Sequence, residues 1–371
     1  MKIPFVDLHA QYLSIKDEID TAIATVIAES AYIRGRFVAD FEKKYAEAYG
    51  VKNCVSCADG TSAIYIVLKM LGIGPGDEVI TTANTWIATS ETVSQCGARP
   101  IFVDVEENFY NIDSAKIEAK ITPRTKAIIA VHLMGQPAQI DKIKAICDTH
   151  NLLLIEDCAQ AHFATYNGQR LGTFGVAGTF SFYPGKNLGA YGDAGAIITN
   201  DDDLAKRCKI FASHGASPIN KHDHVMEGIN SRMDGLQAAI LLAKLPHIHD
   251  WTRKRQAIAK RYDELLSDNP NVIKTPIVRE NASHVYHVYC VRVKNRNKVQ
   301  AYLNTNGVAT SIHYPTALPF LEAYRYQENE ASDFPLAWRN QHEMLSLPIF
   351  PEMTDEQIQY VAKTLSEASS Q

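Results

Sequence analysis

Lys186 is the residue whose setting is hardest to explain without chemistry. It lies in FSFYPGKNLGAYGDAG, residues 180–195, where an apolar aromatic run turns on Pro184-Gly185 and three further glycines and Asp193 follow the lysine. A lysine held against protein loses part of its preference for the charged form. Its pKa falls, and the freed lone pair can attack a carbonyl. The glycines allow backbone approaches that a Cβ would resist. Taken alone, the stretch fits a glycine-rich hairpin with an incidental lysine equally well.

Three other places carry matching chemistry. Asp157 ends the apolar run LLLIEDC, where a carboxylate is costly unless paired, and the protonated nitrogen of a pyridine ring would pair it. A helix cap or a core salt bridge fits Asp157 too. Gln160 follows and can donate to a ring substituent, whereas His162, a lone histidine among small residues, reads as structural. Gly60-Thr61-Ser62 stands between a short strand and a helix, so the free amides of the first turn and the helix dipole favour an anion such as phosphate. Thr61 or Ser62 acting simply as the helix cap is the alternative. Trp86 offers a face for a planar ring, and Ser181 stands close enough to Lys186 to reach a phosphate.

These residues need a frame that gathers them. DEVITTA, RPIFVDV, TKAIIAVHL, LLLIEDC and GAIITN are short apolar runs that alternate with helical patterns, as at Ile140–His150. Such alternation predicts an α/β fold with a mostly parallel sheet covered on both faces. Ligands in such sheets sit at the carboxyl ends of the strands, where Gly60, Trp86 and Asp157 all fall. Amphipathic helices are expected over 14–30 and 37–49, and again over 233–245 and 248–266. The charges of TRKRQAIAKR are expected on the solvated face of the last of these. After Pro246 the texture changes. HVYHVYCVRV and VATSIHYP read as antiparallel strands, and helices are expected near 334–346 and 355–367. This predicts two parts, 1–246 and a smaller α+β part, 247–371.

Composition narrows the classes. The chain has 371 residues and a net charge of −5, which offers no positive field for nucleic acid. No run approaches a membrane span, and the start lacks a secretory pattern, so a cytoplasmic protein is expected. The seven cysteines are odd in number and scattered, which fits reduced thiols. Cys54 and Cys57 form a CxxC with no second pair, and His222 and His224 lack carboxylate or thiol company, so no metal is expected. The polar loop around 213–235 is long enough to suggest a lid or an interface arm.

A phosphate subsite, a stacking ring, an acid for a ring nitrogen and a Schiff-base lysine together meet the demands of pyridoxal 5′-phosphate. In addition, PFVDLHAQY, ADGTSAI, ITTANTWIATSETV, AVHLMGQPA, IEDCAQAH, FSFYPGKNLGAYGDAGA, GINSRMDGLQAAIL and HYP resemble the DegT/DnrJ/EryC1/StrS family of nucleotide-sugar aminotransferases along essentially the whole chain. The resemblance implies the aspartate aminotransferase fold (fold type I). It implies that Lys186 bonds the cofactor and moves the proton, Asp157 holds the ring nitrogen, Trp86 stacks on the ring and Gln160 meets its phenolic oxygen. Gly60, Thr61, Ser62 and Ser181 would bind the phosphate, with Asn230 reaching it from the neighbouring subunit of an obligate homodimer. Arg232 would hold a donor carboxylate. Tyr183, Lys221, His313 and Tyr314 match positions that touch sugar or pyrophosphate. The substrates implied are L-glutamate and a nucleotide-linked keto sugar. The run Tyr191-Gly192-Asp193-Ala194-Gly195 is more like relatives acting on 3-keto sugars than like 4-keto enzymes, which often carry a GEGG-type run. A dehydratase on the same cofactor would carry histidine in place of Lys186.

Overall fold

The computed structural model describes residues 1–217, 219–267 and 273–369. Its centre is a seven-stranded sheet. The strands are β1 (Asn53–Cys57), β2 (Glu78–Thr82), β3 (Arg99–Val103), β4 (Thr125–Val131) and β5 (Leu153–Asp157). After a small hairpin, β6 (Thr165–Tyr166) and β7 (Gln169–Arg170), come β8 (Ala177–Ser181) and β9 (Gly195–Thr199). The order across the sheet is β1-β9-β8-β5-β4-β2-β3. β9 runs antiparallel to both its neighbours and every other pairing is parallel.

The unbroken apolar runs of the sequence are explained by burial on both faces. Side chains alternate across a strand. Ile128 and Ala130 therefore pack into one hydrophobic cluster, with helices 16–29, 36–49 and 235–244, and Ala127 and Ile129 pack into the other, with helices 60–70 and 202–211. Three helices fall within a residue of the expected boundaries: Arg36–Tyr49, Ile140–His150 and Ile248–Leu266.

The C-terminal part departs from expectation in three places. HVYHVYCVRV is a strand only over β12 (Tyr289–Val293), because residues 284–288 bend away onto the lysine loop, with Tyr286 at φ +44°. The stretch VATSIHYP forms no strand and makes only single bridges, Val308 to Ile3 and Ser311 to Ser346. The third strand of that sheet is instead β13 (Met344–Leu347), which begins inside the stretch expected to be helical; the helix stops at Glu343. With no glycine or proline between them, nothing local marks the change. β10 (Ile273–Lys274), β12 and β13 form an antiparallel sheet backed by helices 248–266, 296–305 and 355–369 over one hydrophobic cluster that also takes in Ile3. β11 (Ala282–Ser283) pairs with β6. Arg255, expected on the solvated face of its helix, is buried and donates to the carbonyls of Tyr286 and Ile349 at 3.1 and 2.9 Å. Carbonyls without a ladder partner need a donor, and a guanidinium supplies several. All seven cysteines are buried and unbonded.

Candidate active site

The carboxyl ends of β1, β2 and β5 and the loop after β8 bring the first group together. Gly60 opens the helix that follows β1, and Asp59 caps it, its carboxylate accepting from the amide and the hydroxyl of Ser62 at 2.7 and 2.9 Å. The cap is thus Asp59, not Thr61 or Ser62. The amides of Gly60 and Thr61 have no hydrogen-bond partner among the described residues. Ser181 lies against this turn, where a Cβ on Gly60 would come within 2.6 Å of the Ser181 Cβ. Only glycine lets β8 and the helix start approach this closely. Two free amides and two hydroxyls, Thr61 and Ser181, form a cradle suited to a phosphate. Ser62 has its hydroxyl hydrogen already given to Asp59.

Asp157 is 6% exposed at the end of β5. Its Oδ2 accepts from Thr89 Oγ1 at 2.8 Å and its Oδ1 from the Ala159 amide at 3.1 Å. The preceding residue, Glu156, points to the opposite face and is saturated. It accepts from the amides of Gly172, Phe174 and Gly175 at 2.7, 2.7 and 2.9 Å and meets His132 Nε2 at 3.1 Å. His132, Glu156 and Cys158 bring their metal-type donor atoms within 4.8 Å of one another. His132 Nδ1 accepts from the Ala138 amide, and Glu156 is spent on backbone amides, so this cluster is a structural knot.

Lys186 keeps some open surface because the space before it is open, yet protein surrounds its ammonium. Burial lowers its pKa to about 8, with the carboxylate of Asp157 pulling the other way. About a tenth of the amine is therefore neutral at pH 7, far more than for an ordinary lysine. His162 lies beneath, its ring 5.5 Å from those of both Phe180 and Phe182, and neither ring nitrogen has a side-chain or backbone partner of good geometry. Burial and then Lys186 push its pKa down to about 3, and the same causes push that of His313 to about 4. The histidines around the lysine are neutral. The loop itself is tight, for a Cβ on Gly189 would fall 2.3 Å from the carbonyl oxygen of Pro184.

Two aromatic rings on loops that border this group are open for their size, Trp86 at 58% and Tyr183 at 59% exposed. Trp86 lies 5.6 Å from the ring of Tyr314. Gln160 accepts from the Met134 amide at 2.6 Å and donates to the Tyr314 hydroxyl at 3.0 Å, and His313 Nδ1 meets Ser346 Oγ at 2.8 Å. The chain thus brings Gly60, Thr61, Trp86, Asp157, Gln160, Ser181, Tyr183, Lys186, His313 and Tyr314 to one region. Lys221 and Arg232 line a different cavity of about 350 Å³ with Arg34, Lys206, Lys209 and Ser56. Asn230 is exposed beside Ser213. Sequence reasoning missed Thr89, His287 and Asn187, which join the lysine and its acid to their surroundings. Asn187 carried the only signal, its place next to Lys186.

The residues present suit pyridoxal phosphate: a cradle of free amides and hydroxyls, an acid with open acceptor capacity, an uncovered indole and a partly neutral lysine. The profile of the DegT/DnrJ/EryC1/StrS aminotransferase family matches residues 13–366, and the chain belongs to this family of sugar aminotransferases, whose cofactor is pyridoxal 5′-phosphate. It is 44% identical over 371 residues, 99% of this chain and 98% of the relative, to a pleiotropic regulatory protein of Geobacillus stearothermophilus. It is also 44% identical to the dTDP-3-amino-3,6-dideoxy-alpha-D-galactopyranose transaminase of Aneurinibacillus thermoaerophilus, covering 98% of this chain and 99% of that one. Other relatives are named for UDP- and GDP-linked sugars. The crystal structure of S. venezuelae DesV superposes with a TM-score of 0.96 at 37% identity, covering 100% of this chain and 99% of that one.

Proposed function

We propose that this member of the DegT/DnrJ/EryC1/StrS aminotransferase family moves an amino group from L-glutamate to the keto carbon of a nucleotide-linked 3-keto-6-deoxyhexose, with dTDP as the nucleotide. The observation that carries the reading is a Lys186 whose pKa is lowered to about 8 within the field of Asp157, in a region where Trp86 and Tyr183 are left uncovered. When bound, the cofactor supplies an electron sink for the carbon that gains or loses the amino group. Lys186 Nζ would hold the cofactor and would accept and return a proton at the reacting carbon; a pKa lowered to about 8 suits both directions. Asp157, fixed by Thr89, holds the proton on the ring nitrogen. Trp86 would cover one ring face, Gln160 would meet the phenolic oxygen, and Gly60, Thr61 and Ser181 would hold the phosphate, Ser62 being spent on Asp59. Tyr183, His313 and Tyr314 face the sugar.

The run Gly192-Asp193-Ala194-Gly195 supports the 3-keto choice, and the relative from Aneurinibacillus supports dTDP. Exposed Asn230 supports a homodimer in which it completes the partner's phosphate site, with Arg232 at the donor carboxylate and Lys221 at the sugar diphosphate. The product would serve a surface polysaccharide such as an O-antigen, or a glycoside, made in the cytoplasm. The same reading divides the chain near Pro246 into 1–246 and 247–371. The separate C-terminal hydrophobic cluster supports that division, and Ile3 crosses it.

Borohydride should fix the cofactor on Lys186, found by mass spectrometry; its recovery on another lysine overturns the assignment. The cofactor's amino form should then transfer to dTDP-3-keto sugars faster than to UDP-linked or 4-keto ones. A faster reaction with either alternative replaces the substrate named here, and absence of transfer to any of them favours a regulatory role. Lys186→Ala subunits mixed with Asn230→Ala/Arg232→Ala subunits should regain activity, because one site per hybrid is intact. Proven exchange without recovery removes the shared site.

A further inference from the structure

Asn187, the residue after Lys186, is buried with both ends of its amide committed. Its Nδ2 donates to the carbonyl of Val285 at 2.9 Å, and its Oδ1 faces Nδ1 of His287 at 3.2 Å. A carbonyl only accepts, so the amide has one orientation; Oδ1 likewise only accepts, so the hydrogen sits on His287 Nδ1. Burial, followed by the charges of Lys186 and Arg255, holds the ring pKa well below the ordinary histidine value. The ring is therefore neutral, in a single tautomer, with a lone pair on Nε2. That Nε2 has no partner among the described residues and is not sealed from open space.

The far side of this link is itself anchored. The Val285 amide donates to Gly135 O at 3.1 Å, and buried Arg255 holds the carbonyls of Tyr286 and Ile349 together. Gly135 leaves no room to shift, since a Cβ there would come within 2.7 Å of Val285 Cγ2. Residues 284–287 are thus a fixed post beside the lysine loop, and the two hydrogen bonds of Asn187 tie the loop to it.

We infer that His287 is a positioning residue for Lys186, fixing through the Asn187 amide the backbone from which the lysine side chain extends. The inference rests on the proposed role of Lys186. Small displacements of a reacting group cost on the order of 10²-fold in rate.

The test uses the holoenzyme and four variants: His287→Phe, Asn187→Leu, the double variant and His287→Asn, whose amide can donate where Nδ1 does. Both His287→Phe and Asn187→Leu should lower kcat by on the order of 10²-fold and move the pH midpoint of the bound cofactor's visible absorbance by about 0.5. The double variant should be no worse than the worse single, since one link has been cut twice. His287→Asn should recover most of kcat and the midpoint. A midpoint unchanged in both singles, or a double variant whose loss is the product of the single losses, overturns the inference; so does His287→Asn behaving like His287→Phe. If His287→Phe does not fold, Asn187→Leu and His287→Asn decide the matter by the same readouts. Borohydride fixation in the parent separates the two levels. Attachment away from Lys186 removes both readings, whereas attachment at Lys186 with an unmoved midpoint removes the positioning role alone.

Discussion

Glu156 and Asp157 are neighbours on one strand, yet they live in opposite worlds. Glu156 faces a side where four donors converge on it and the protein closes completely. Among the described residues Asp157 accepts from Thr89 and one amide alone, and its charge acts on Lys186. A buried carboxylate must be satisfied. When the protein supplies every donor, the acid is masonry. When the protein stops short, the missing donor is a ligand's. The number of donors left out, not burial, separates the two.

The sharpest way to break this contrast is Asp157→Asn. An amide cannot balance a ring cation, so turnover should fall on the order of 10²–10³-fold with thermal unfolding little changed. Equal loss of stability would return Asp157 to the class of Glu156. The mirror change, Glu156→Gln, should cost about 2–3 kcal/mol in unfolding free energy while sparing turnover per folded molecule. Lost turnover with intact stability would show that the closed face also takes part. Thr89→Val removes the one side-chain donor Asp157 has, and about a tenfold drop in kcat is expected, with the hydrophobic packing retained.

The smallest effect is one of pH. The neutral amine attacks, so cofactor capture by the cofactor-free chain should quicken as pH rises and level off above about 8, the lowered Lys186 value. With His162 near 3 and His313 near 4, neither ring should add a second inflection between pH 5 and 8. Stopped-flow absorbance would show the curve, and a plateau reached only near pH 10 would mean that burial does not tune this lysine.

The sheet and most of its helices were legible because short unbroken apolar runs, helical spacing and Gly-marked turns are local signals. Asp157 and Lys186 were legible for a related reason, since each is a charge in an apolar run and has to be explained. Glu156 satisfied the same criterion and went unremarked, because its donors are backbone amides some sixteen to nineteen residues away, which no side-chain pattern announces. The bend at 284–288 was hidden by its own composition. Alternating Val and Tyr favour a strand, and hydrogen bonds with remote residues, among them Gly135, Asn187, Arg255 and Gln256, override them. Lys221, Asn230 and Arg232 lie beyond what a single chain arranges around Lys186.

Ile3 belongs to the cluster built from residues past 258, and its backbone pairs with Gly307 and Ala309. During synthesis it must therefore wait, uncovered, while some three hundred residues emerge after it. The larger sheet can close in that interval, but the C-terminal layer cannot close without it. An extension placed ahead of Ile3 thus acts on the last stage of folding, and would be expected to slow maturation of the distant sheet while leaving the cofactor cradle formed.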